Sequence, residues 1–199
     1  VPVGRGRVLD PSVPERAEDV MEWPCAVVDD APSGVKTTEA PHYRRVALER
    51  GRAADGPDRP APDGIGRRTG ITASHGFAFV SHVGEVYPSG FLLEPAGNGL
   101  EEGIVDSYRD SELFRSLRDR DALRGKCGVC EHRNVCDGSR SRAFAYTDDP
   151  LESDPLCAYV PAEYDGPLSE QSFSTVSPAD RTSHGSRSHR TAVSTPVRS

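Results

Sequence analysis

Four of the five cysteines in the chain follow a spacing that is typical of metal binding. Cys127, Cys130 and Cys136 lie within ten residues, and Cys157 follows twenty-one residues later. Between the first two, Gly128 favours a tight turn that wraps both thiols around one centre. Thiolates are soft ligands, and a set of four suits zinc or an iron–sulfur cluster. The spacing therefore predicts a site with four cysteine ligands.

The spacing alone does not select the metal. A zinc ribbon usually contains a second Cys-x2-Cys pair, and the single pair of this sequence favours an iron–sulfur cluster. Zinc is the alternative, and the chain would then be an interaction module without catalysis that uses the same cysteines structurally. The fifth cysteine, Cys25, stands apart, and we interpret it as a buried or free thiol.

The composition argues against several classes of protein. The chain has 199 residues, of which 35% are hydrophobic, and a mean hydropathy of -0.56, so we expect part of it to lie outside a packed core. A net charge of -7 argues against a nucleic-acid-binding surface. We see neither a membrane-spanning run nor a secretory signal, and we expect a cytoplasmic protein. The acidic, lysine-poor and arginine-rich composition is typical of proteins from high-salt organisms, and GC-rich coding is the alternative explanation of the arginine bias.

The first part of the chain has the pattern of an α/β unit over residues 1–50. A short extended run, "SGVKTT", precedes a helix that we expect to begin at Thr37 or Thr38, with Pro41 in its first turn. Residues 51–70 consist largely of Gly, Pro, Asp and Arg, and they are predicted to form a linker.

The second part, residues 71–166, combines a hairpin with short helices. Alternating aromatic residues and a Gly-containing turn predict a β-hairpin over 74–93. Two short helices are predicted to follow, the second of them capped by Ser111, and the cysteines come next on loop-like sequence. Residues 167–199 are rich in Ser and Thr and are predicted to be disordered.

A long ordered string, "SELFRSLRDRDALRGKCGVCEHRNVCDGSRSRAFAYTDDPLESDPLCAYVP", carries a family resemblance. Together with "GEVYPSGFL" and "GNG", it resembles the C-terminal SPASM-type region of radical S-adenosylmethionine enzymes, in the subfamily of alternative haem, haem d1 and PQQ-synthesis-like maturation proteins. "VPVGRGR" and "KTTEAPHYRRVAL" resemble the closing part of that subfamily's barrel. The resemblance implies an α+β protein, with the end of a partial (β/α) barrel over 1–50 and a SPASM-type domain over 71–166.

In that family such cysteines bind an auxiliary [4Fe–4S] cluster, which the resemblance assigns to the four cysteines of this chain. Many relatives contain two such clusters, with further cysteines where Ser89 and Arg140 stand here, so a single cluster is expected. Asp137 replaces a common glycine and would lower the reduction potential if its carboxylate is ionised.

The catalytic cluster of the superfamily needs a Cys-x3-Cys-x2-Cys triplet, which these 199 residues do not contain. We therefore expect an N-terminally truncated piece of a radical enzyme, inactive alone, in which S-adenosylmethionine acts only in the intact protein. The resemblance implies tetrapyrrole (haem) maturation, including oxidative decarboxylation of propionates; peptide or PQQ-like cofactor maturation is the alternative. The implied partners are a small-molecule substrate such as a tetrapyrrole, an electron donor or acceptor, and a separately encoded barrel domain.

Two groups of basic residues are further candidates. His42, Arg44 and Arg45 either face a barrel cavity and hold an anionic substrate, or form the solvated first turn of a helix. His132 is expected to support the cysteines without ligating the metal. The other basic residues near the cysteines either compensate cluster charge and guide an anionic substrate or are ordinary surface charge. These are Lys126, Arg133, Arg140 and Arg142.

Overall fold

The structure is a computed structural model. It describes residues 1, 13–27, 30, 32, 37, 39–50 and 73–167. The linker predicted at 51–70 lies outside the described residues, as do most of the predicted extended run and the tail beyond residue 167. Of the described helices, none combines the length and apolar character needed to cross a membrane.

Two helices form the N-terminal part of the described chain, and they pack against each other. Helix α1 covers Pro14–Val27 and helix α2 covers His42–Glu49. The core between them is apolar, because its side chains come from one face of each helix. It consists of Met21, Cys25, Val46 and Ala47. The burial of Cys25 in this core confirms its interpretation as a buried thiol.

Helix α2 is confirmed, but the predicted start at Thr37 or Thr38 is wrong. The helix begins at His42, with Pro41 at the N-cap position. Glu39 has a φ of 54°, in the left-handed region, and a right-handed helix cannot pass through that conformation. Pro41 suits the new start, because proline has no backbone N–H to leave unsatisfied.

The hairpin predicted between 74 and 93 is confirmed and is extended by a third strand. Strand β1 is Phe79–Val80, β2 is Glu85–Tyr87 and β3 is Gly97–Asn98, in the antiparallel order β1-β2-β3. Val86 is fully buried at the centre and pairs with Val80 on one side and Gly97 on the other. A side chain at Gly97 would lie 2.8 Å from the Ser107 hydroxyl, so glycine permits the sheet to pack closely against the next helix.

Both predicted helices follow the sheet. A π-helical turn at Gly99–Gly103 leads into α3, Ile104–Asp110, and then into α4, Glu112–Arg118. The predicted cap is present, since the Ser111 hydroxyl accepts the Phe114 N–H at 3.3 Å. Phe114 is fully buried, whereas Ile104 on α3 is 50% exposed, so α4 supplies more of the core than α3 does.

The cysteine region contains more helix than the sequence suggests. A 3-10 turn at Arg120–Ala122 precedes the short helix α5, Gly125–Gly128, and helix α6 covers Arg140–Thr147. Helix α6 is capped by Ser139, whose hydroxyl accepts the Arg142 N–H at 3.2 Å. These elements bring the loops on either side of α6 together. The described part therefore contains both helices and a small sheet, while the barrel and SPASM assignments stay predictions.

Candidate metal centre

The four cysteines predicted as ligands line one cavity. Cys127 lies on α5, Cys130 and Cys136 lie in the turns after it, and Cys157 comes from the segment beyond α6. Residues up to thirty positions apart in sequence therefore meet at one place, as the spacing predicts. Their role as metal ligands stays a prediction.

A turn between α5 and Cys130 directs the first two thiols. The Cys130 N–H donates to the Cys127 carbonyl at 3.4 Å, and the Gly128 N–H donates to the Arg124 carbonyl at 3.0 Å. A β-carbon at position 128 would lie only 2.5 Å from the Leu123 carbonyl oxygen. Glycine is required here because the turn closes so tightly that no side chain fits.

The described residues contain no group of three His, Cys, Asp or Glu side chains placed to share one metal ion. A tetrahedral zinc ion has Zn–S bonds of about 2.3 Å, which puts its sulfur ligands roughly 4 Å apart. An iron–sulfur cluster binds its cysteines at separate iron atoms and so joins thiols that stand farther apart. The four cysteines line one cavity without such a group, and the choice between zinc and an iron–sulfur cluster stays a prediction.

The interior position of the thiols favours their protonated form while no metal is bound. Burial raises the pKa of Cys130 and of Cys136, and it raises the pKa of Cys157 to about 11. Metal binding requires thiolates, so loading the site must release protons. The same desolvation makes a compensating positive charge nearby valuable to the loaded site.

Cationic side chains form part of the cavity wall. Arg45, Lys126 and Arg133 all line it. The Lys126 ammonium donates to the Cys157 carbonyl at 2.6 Å, and the Arg45 guanidinium lies 4.8 Å from the centre of the Tyr159 ring. Arg45 is almost fully buried, and its Nε has no hydrogen-bond partner. The wall therefore contains three cationic side chains, together with the carboxylates of Asp137 and Asp154.

Arg140 contacts a cysteine sulfur directly. Its Nη2 donates to Cys127 Sγ at 3.3 Å, while Nη1 donates to the carbonyls of Pro150 and Glu152 at 3.0 and 2.8 Å. Helix α6 begins at this residue, so the helix start fixes where the guanidinium stands. The Arg140 side chain thus connects Cys127 to the segment that contains Pro150 and Glu152 and precedes Cys157.

A buried carboxylate joins helix α2 to α6. Asp154 is fully buried and forms two hydrogen bonds with Arg142, from Nε at 2.9 Å and from Nη2 at 2.7 Å. His42 Nε2 lies 3.2 Å from the same carboxylate. Burial alone would raise the pKa of Asp154, but Arg142 and His42 outweigh it and hold the pKa well below its ordinary value.

Asp154 also shapes the loops that contain the last two cysteines. Its carboxylate accepts the Ser139 N–H at 2.6 Å and the Leu156 N–H at 3.1 Å, and its carbonyl accepts the Cys157 N–H at 3.1 Å. Ser139 is three residues beyond Cys136. One side chain therefore orients the backbone next to two of the four thiols.

The N-terminal basic residues have separate surroundings. His42 and Arg45 are buried, so the solvated-turn alternative is wrong for both of them. Arg44 is half-buried and does not line the cavity. Arg45 pairs with Glu18 on α1 at 2.5 Å and with Glu49 at 2.8 Å. The proposal that these residues bind an anionic substrate stays a prediction.

The remaining basic candidates differ in whether they are buried and in whether they line the cavity. Arg140 and Arg142 are buried, so the surface-charge alternative is wrong for them. His132 does not line the cavity; it lies 3.4 Å from Glu49 and packs against the Tyr159 ring at 5.3 Å. The histidine is therefore next to a cavity-lining residue rather than to the thiols themselves.

Ser89 and Asp137, which bear on cluster number and on charge respectively, are both buried. Asp137 has a φ of 59° and pairs with Arg120 at 2.7 Å, which was not predicted from the sequence. Burial raises the pKa of Asp137, and Arg120 opposes that rise. The Ser89 hydroxyl lies 3.4 Å from that of Ser141 and 3.5 Å from Glu39. Ser89 thus belongs to a polar network rather than to the cysteine cavity.

Several residues of this site have no local sequence signal. Asp154 stands in "ESDPL" and Glu39 in "TTEAP", and both read as ordinary exposed acids. Glu39 accepts from Ser139 at 2.7 Å across one hundred residues of sequence. Its position between the third and fourth cysteines does not single out Asp154, because Asp137, Asp148, Asp149 and Glu152 lie there too.

Curated relatives match most of the chain. It is 38% identical over 164 residues to the AdoMet-dependent heme synthase of Methanosarcina barkeri, covering 82% of this chain and 47% of that protein. It is 36% identical over 164 residues to the AdoMet-dependent heme synthase of Oleidesulfovibrio alaskensis, covering 81% of this chain and 42% of that protein. The pre-heme d1 synthase of Dinoroseobacter shibae is 32% identical over 98 residues, 47% of this chain and 24% of that protein.

No protein-family model matches the chain, and no solved structure matches it. The chain spans slightly less than half the length of the heme synthases that it matches. The similarity nevertheless covers more than four fifths of this chain for each of the three. The chain is therefore a homologue of AdoMet-dependent heme synthases and, over a shorter stretch, of a pre-heme d1 synthase, proteins of the radical S-adenosylmethionine family.

Proposed function

We propose that Cys127, Cys130, Cys136 and Cys157 hold a [4Fe–4S] cluster that serves a radical S-adenosylmethionine enzyme of haem maturation. The observation that carries the proposal is the single cavity that all four thiols line. When bound, such a cluster takes up or gives one electron. The residues of this chain would hold it, shield it from water and set its charge environment.

The single Cys-x2-Cys pair favours the cluster over a zinc ion, because a zinc ribbon usually contains a second pair. All four cysteines line the cavity. The cavity wall also contains the cations Arg45 and Lys126. A buried site with four thiolates needs such positive charge, because uncompensated charge is costly away from water.

The relatives support the haem setting. The proteins similar to most of this chain are named AdoMet-dependent heme synthase, which supports a haem-related radical function. We propose that the substrate of the whole enzyme is a tetrapyrrole and that S-adenosylmethionine binds to a part that includes the catalytic triplet absent from these 199 residues. Peptide or PQQ-like cofactor maturation stays the alternative setting. An electron donor or acceptor is the proposed redox partner.

Metal analysis of the complete chain tests the cluster. The protein is purified without oxygen, reconstituted with iron and sulfide, and examined by absorption spectroscopy and by iron, sulfide and zinc determination. We expect a brown protein with broad absorption near roughly 400 nm and about four iron and four sulfide per chain. A colourless protein with one zinc per chain would support the alternative of a non-catalytic zinc module and contradict the proposal.

Cysteine variants identify the ligands. Changing any one of the four cavity cysteines to serine should abolish the absorption band or reduce it severalfold, because a serine hydroxyl is a poor ligand for the iron that cysteine thiolates bind. Cys25→Ala is the matched control, since Cys25 lies in the core between α1 and α2. Equal iron content in the control and in wild type is expected. Retention of the full band in all four serine variants would be evidence against these ligands.

A further inference from the structure

Among the described residues, one buried cation has no carboxylate in direct contact with it. Arg140 is 3% exposed, yet among the described residues no Asp or Glu oxygen lies within 4 Å of its guanidinium. The other two buried arginines of the described chain both have carboxylate partners. Arg45 pairs with Glu18, and Arg142 pairs with Asp154. Arg140 is thus the exception among them.

An unpaired buried charge is costly, because the interior solvates it poorly. Two carbonyls, from Pro150 and Glu152, stabilise one end of the guanidinium, but carbonyls have no net charge. The remaining end points at Cys127 Sγ, 3.3 Å from Nη2. Asp137 interacts with Arg140 electrostatically but pairs with Arg120, so the anion in direct contact with Arg140 would be the thiolate of Cys127 and whatever that thiolate binds.

The surrounding backbone preserves this contact. Gly138 has a φ of 65°, and a β-carbon there would lie 2.6 Å from Arg140 Nη2 and 3.1 Å from Cys127 Sγ. Any side chain at position 138 would thus occupy the space between the guanidinium and the thiol. A glycine at this place leaves the N–H and the sulfur in direct contact.

We propose that Arg140 tunes the reduction potential of the cluster by donating a hydrogen bond to the sulfur of Cys127. The inference rests on the proposed cluster and adds a role that ligand assignment alone does not give. Reduction adds one negative charge to the cluster, and a nearby cation with an N–H donor stabilises that extra charge. Hydrogen bonds to the sulfurs and net charge are known determinants of cluster potential. Arg140 therefore raises the potential.

The test compares midpoint potentials of the reconstituted complete chain. Wild type, Arg140→Met and Arg140→Lys are titrated without oxygen, and the reduced fraction is followed by absorption and by electron paramagnetic resonance. At the wild-type midpoint, we expect the ratio of reduced to oxidised cluster to fall roughly tenfold in Arg140→Met, equivalent to about 59 mV for one electron. Arg140→Lys keeps the positive charge but loses the planar guanidinium with its several N–H donors, so we expect an intermediate shift of the midpoint potential.

Arg115→Met is the matched control. It removes the same charge from a side chain that is 63% exposed and pairs with Asp110 on the surface. Its midpoint should equal that of wild type, because solvent screens the distant charge. Circular dichroism of each variant checks that the helices are intact.

The outcomes separate the inference from the proposed function. If wild type takes up no iron and sulfide, the cluster proposal itself is wrong. If wild type forms the cluster and Arg140→Met has the same midpoint, or Arg115→Met shifts equally, the tuning role is overturned. A third variant, Arg140→Gln, completes the set. If all three variants lose the cluster while their circular dichroism is unchanged, Arg140 is needed to retain the cluster, and the tuning role is also overturned.

Discussion

At the scale of single residues, the carboxylate of Asp154 has the largest number of roles. It is fully buried, and it forms two hydrogen bonds with Arg142 while contacting His42 on a different helix. It also accepts two backbone N–H groups, from Ser139 and Leu156. Burying a carboxylate is tolerated only with such partners, so its charge and its hydrogen bonds are both needed.

Asp154→Asn should destabilise the protein strongly. The amide cannot balance Arg142, which would then be a buried charge without a partner, and removing one member of a buried pair typically costs about 3 to 5 kcal/mol. Urea unfolding of the protein without metal measures the change in the free energy of unfolding. Asp121→Asn is the control, because Asp121 is 84% exposed and its pair with Arg133 should contribute less than about 1 kcal/mol. Equal unfolding midpoints for both variants would contradict this assignment.

The two kinds of site residue differ in how far the sequence predicts them. The cysteines could be predicted because a metal-binding turn is a local pattern, visible in the spacing of Cys127 and Cys130 alone. Asp154 and Arg120 could not, since their importance comes from burial against partners that only the folded chain brings near. A lone charged residue in a polar segment is usually exposed, and nothing local distinguishes Asp154 or Arg120 from that majority.

At the scale of elements, α4 shows how a local signal is sufficient to predict a helix. Ser111 precedes it, its hydroxyl accepts the Phe114 N–H, and Phe114 and Leu117 are buried on one face. N-cap side chain and apolar spacing thus agree with each other and with the structure.

Ser111→Ala should lower the free energy of unfolding by about 1 kcal/mol, because the alanine side chain cannot accept the orphan N–H at the helix start. Urea unfolding monitored by circular dichroism measures the loss. Ser111→Thr keeps a hydroxyl acceptor and serves as the control, with a smaller expected change. If the alanine and threonine variants unfold alike, the cap contributes no measurable stability.

Other elements were not predicted, for physical reasons specific to each. Helix α6 begins with Arg140 and Arg142, which are buried through polar contacts, so no apolar stripe marks the helix. Strand β3 is only Gly97–Asn98 and exists because β2 pairs with it. Helix α1 contains Pro24, a residue that normally argues against a helix interior.

At the scale of the whole molecule, the described N-terminal residues and the cysteine region are joined through polar contacts. Glu39 accepts from the Ser139 hydroxyl and, through its carbonyl, from Arg142 Nη1. Arg45 extends from α2 into the cavity wall, where it lies over Tyr159. The proposed cluster would therefore contact both parts of the chain.

Removing the cluster should increase local opening of helix α2 as well as of the cysteine loops. Without the cluster, the buried Arg45 side chain loses a neighbouring anion in the cavity, and ligand loss lowers the stability of the segments that contact the ligand. Hydrogen exchange with and without an iron chelator measures this, and we expect faster exchange across His42–Glu49 in the stripped protein. Strands β1 and β2 serve as the internal reference and should change least. Unchanged exchange in α2 would contradict the link.

The contact between α2 and α6 also sets an order of events during synthesis. His42 and Arg142 are one hundred residues apart in sequence, and the ribosome adds roughly 5 to 20 residues per second. Helix α2 therefore emerges about 5 to 20 s before the arginine beside which its histidine is finally buried. Until then His42 and Arg45 cannot be buried against the cysteine region, and among the described elements α1 is the one already present to pack against α2. The early pairing of α1 with α2, through Glu18 and Arg45, would thus protect the nascent chain until its second half arrives.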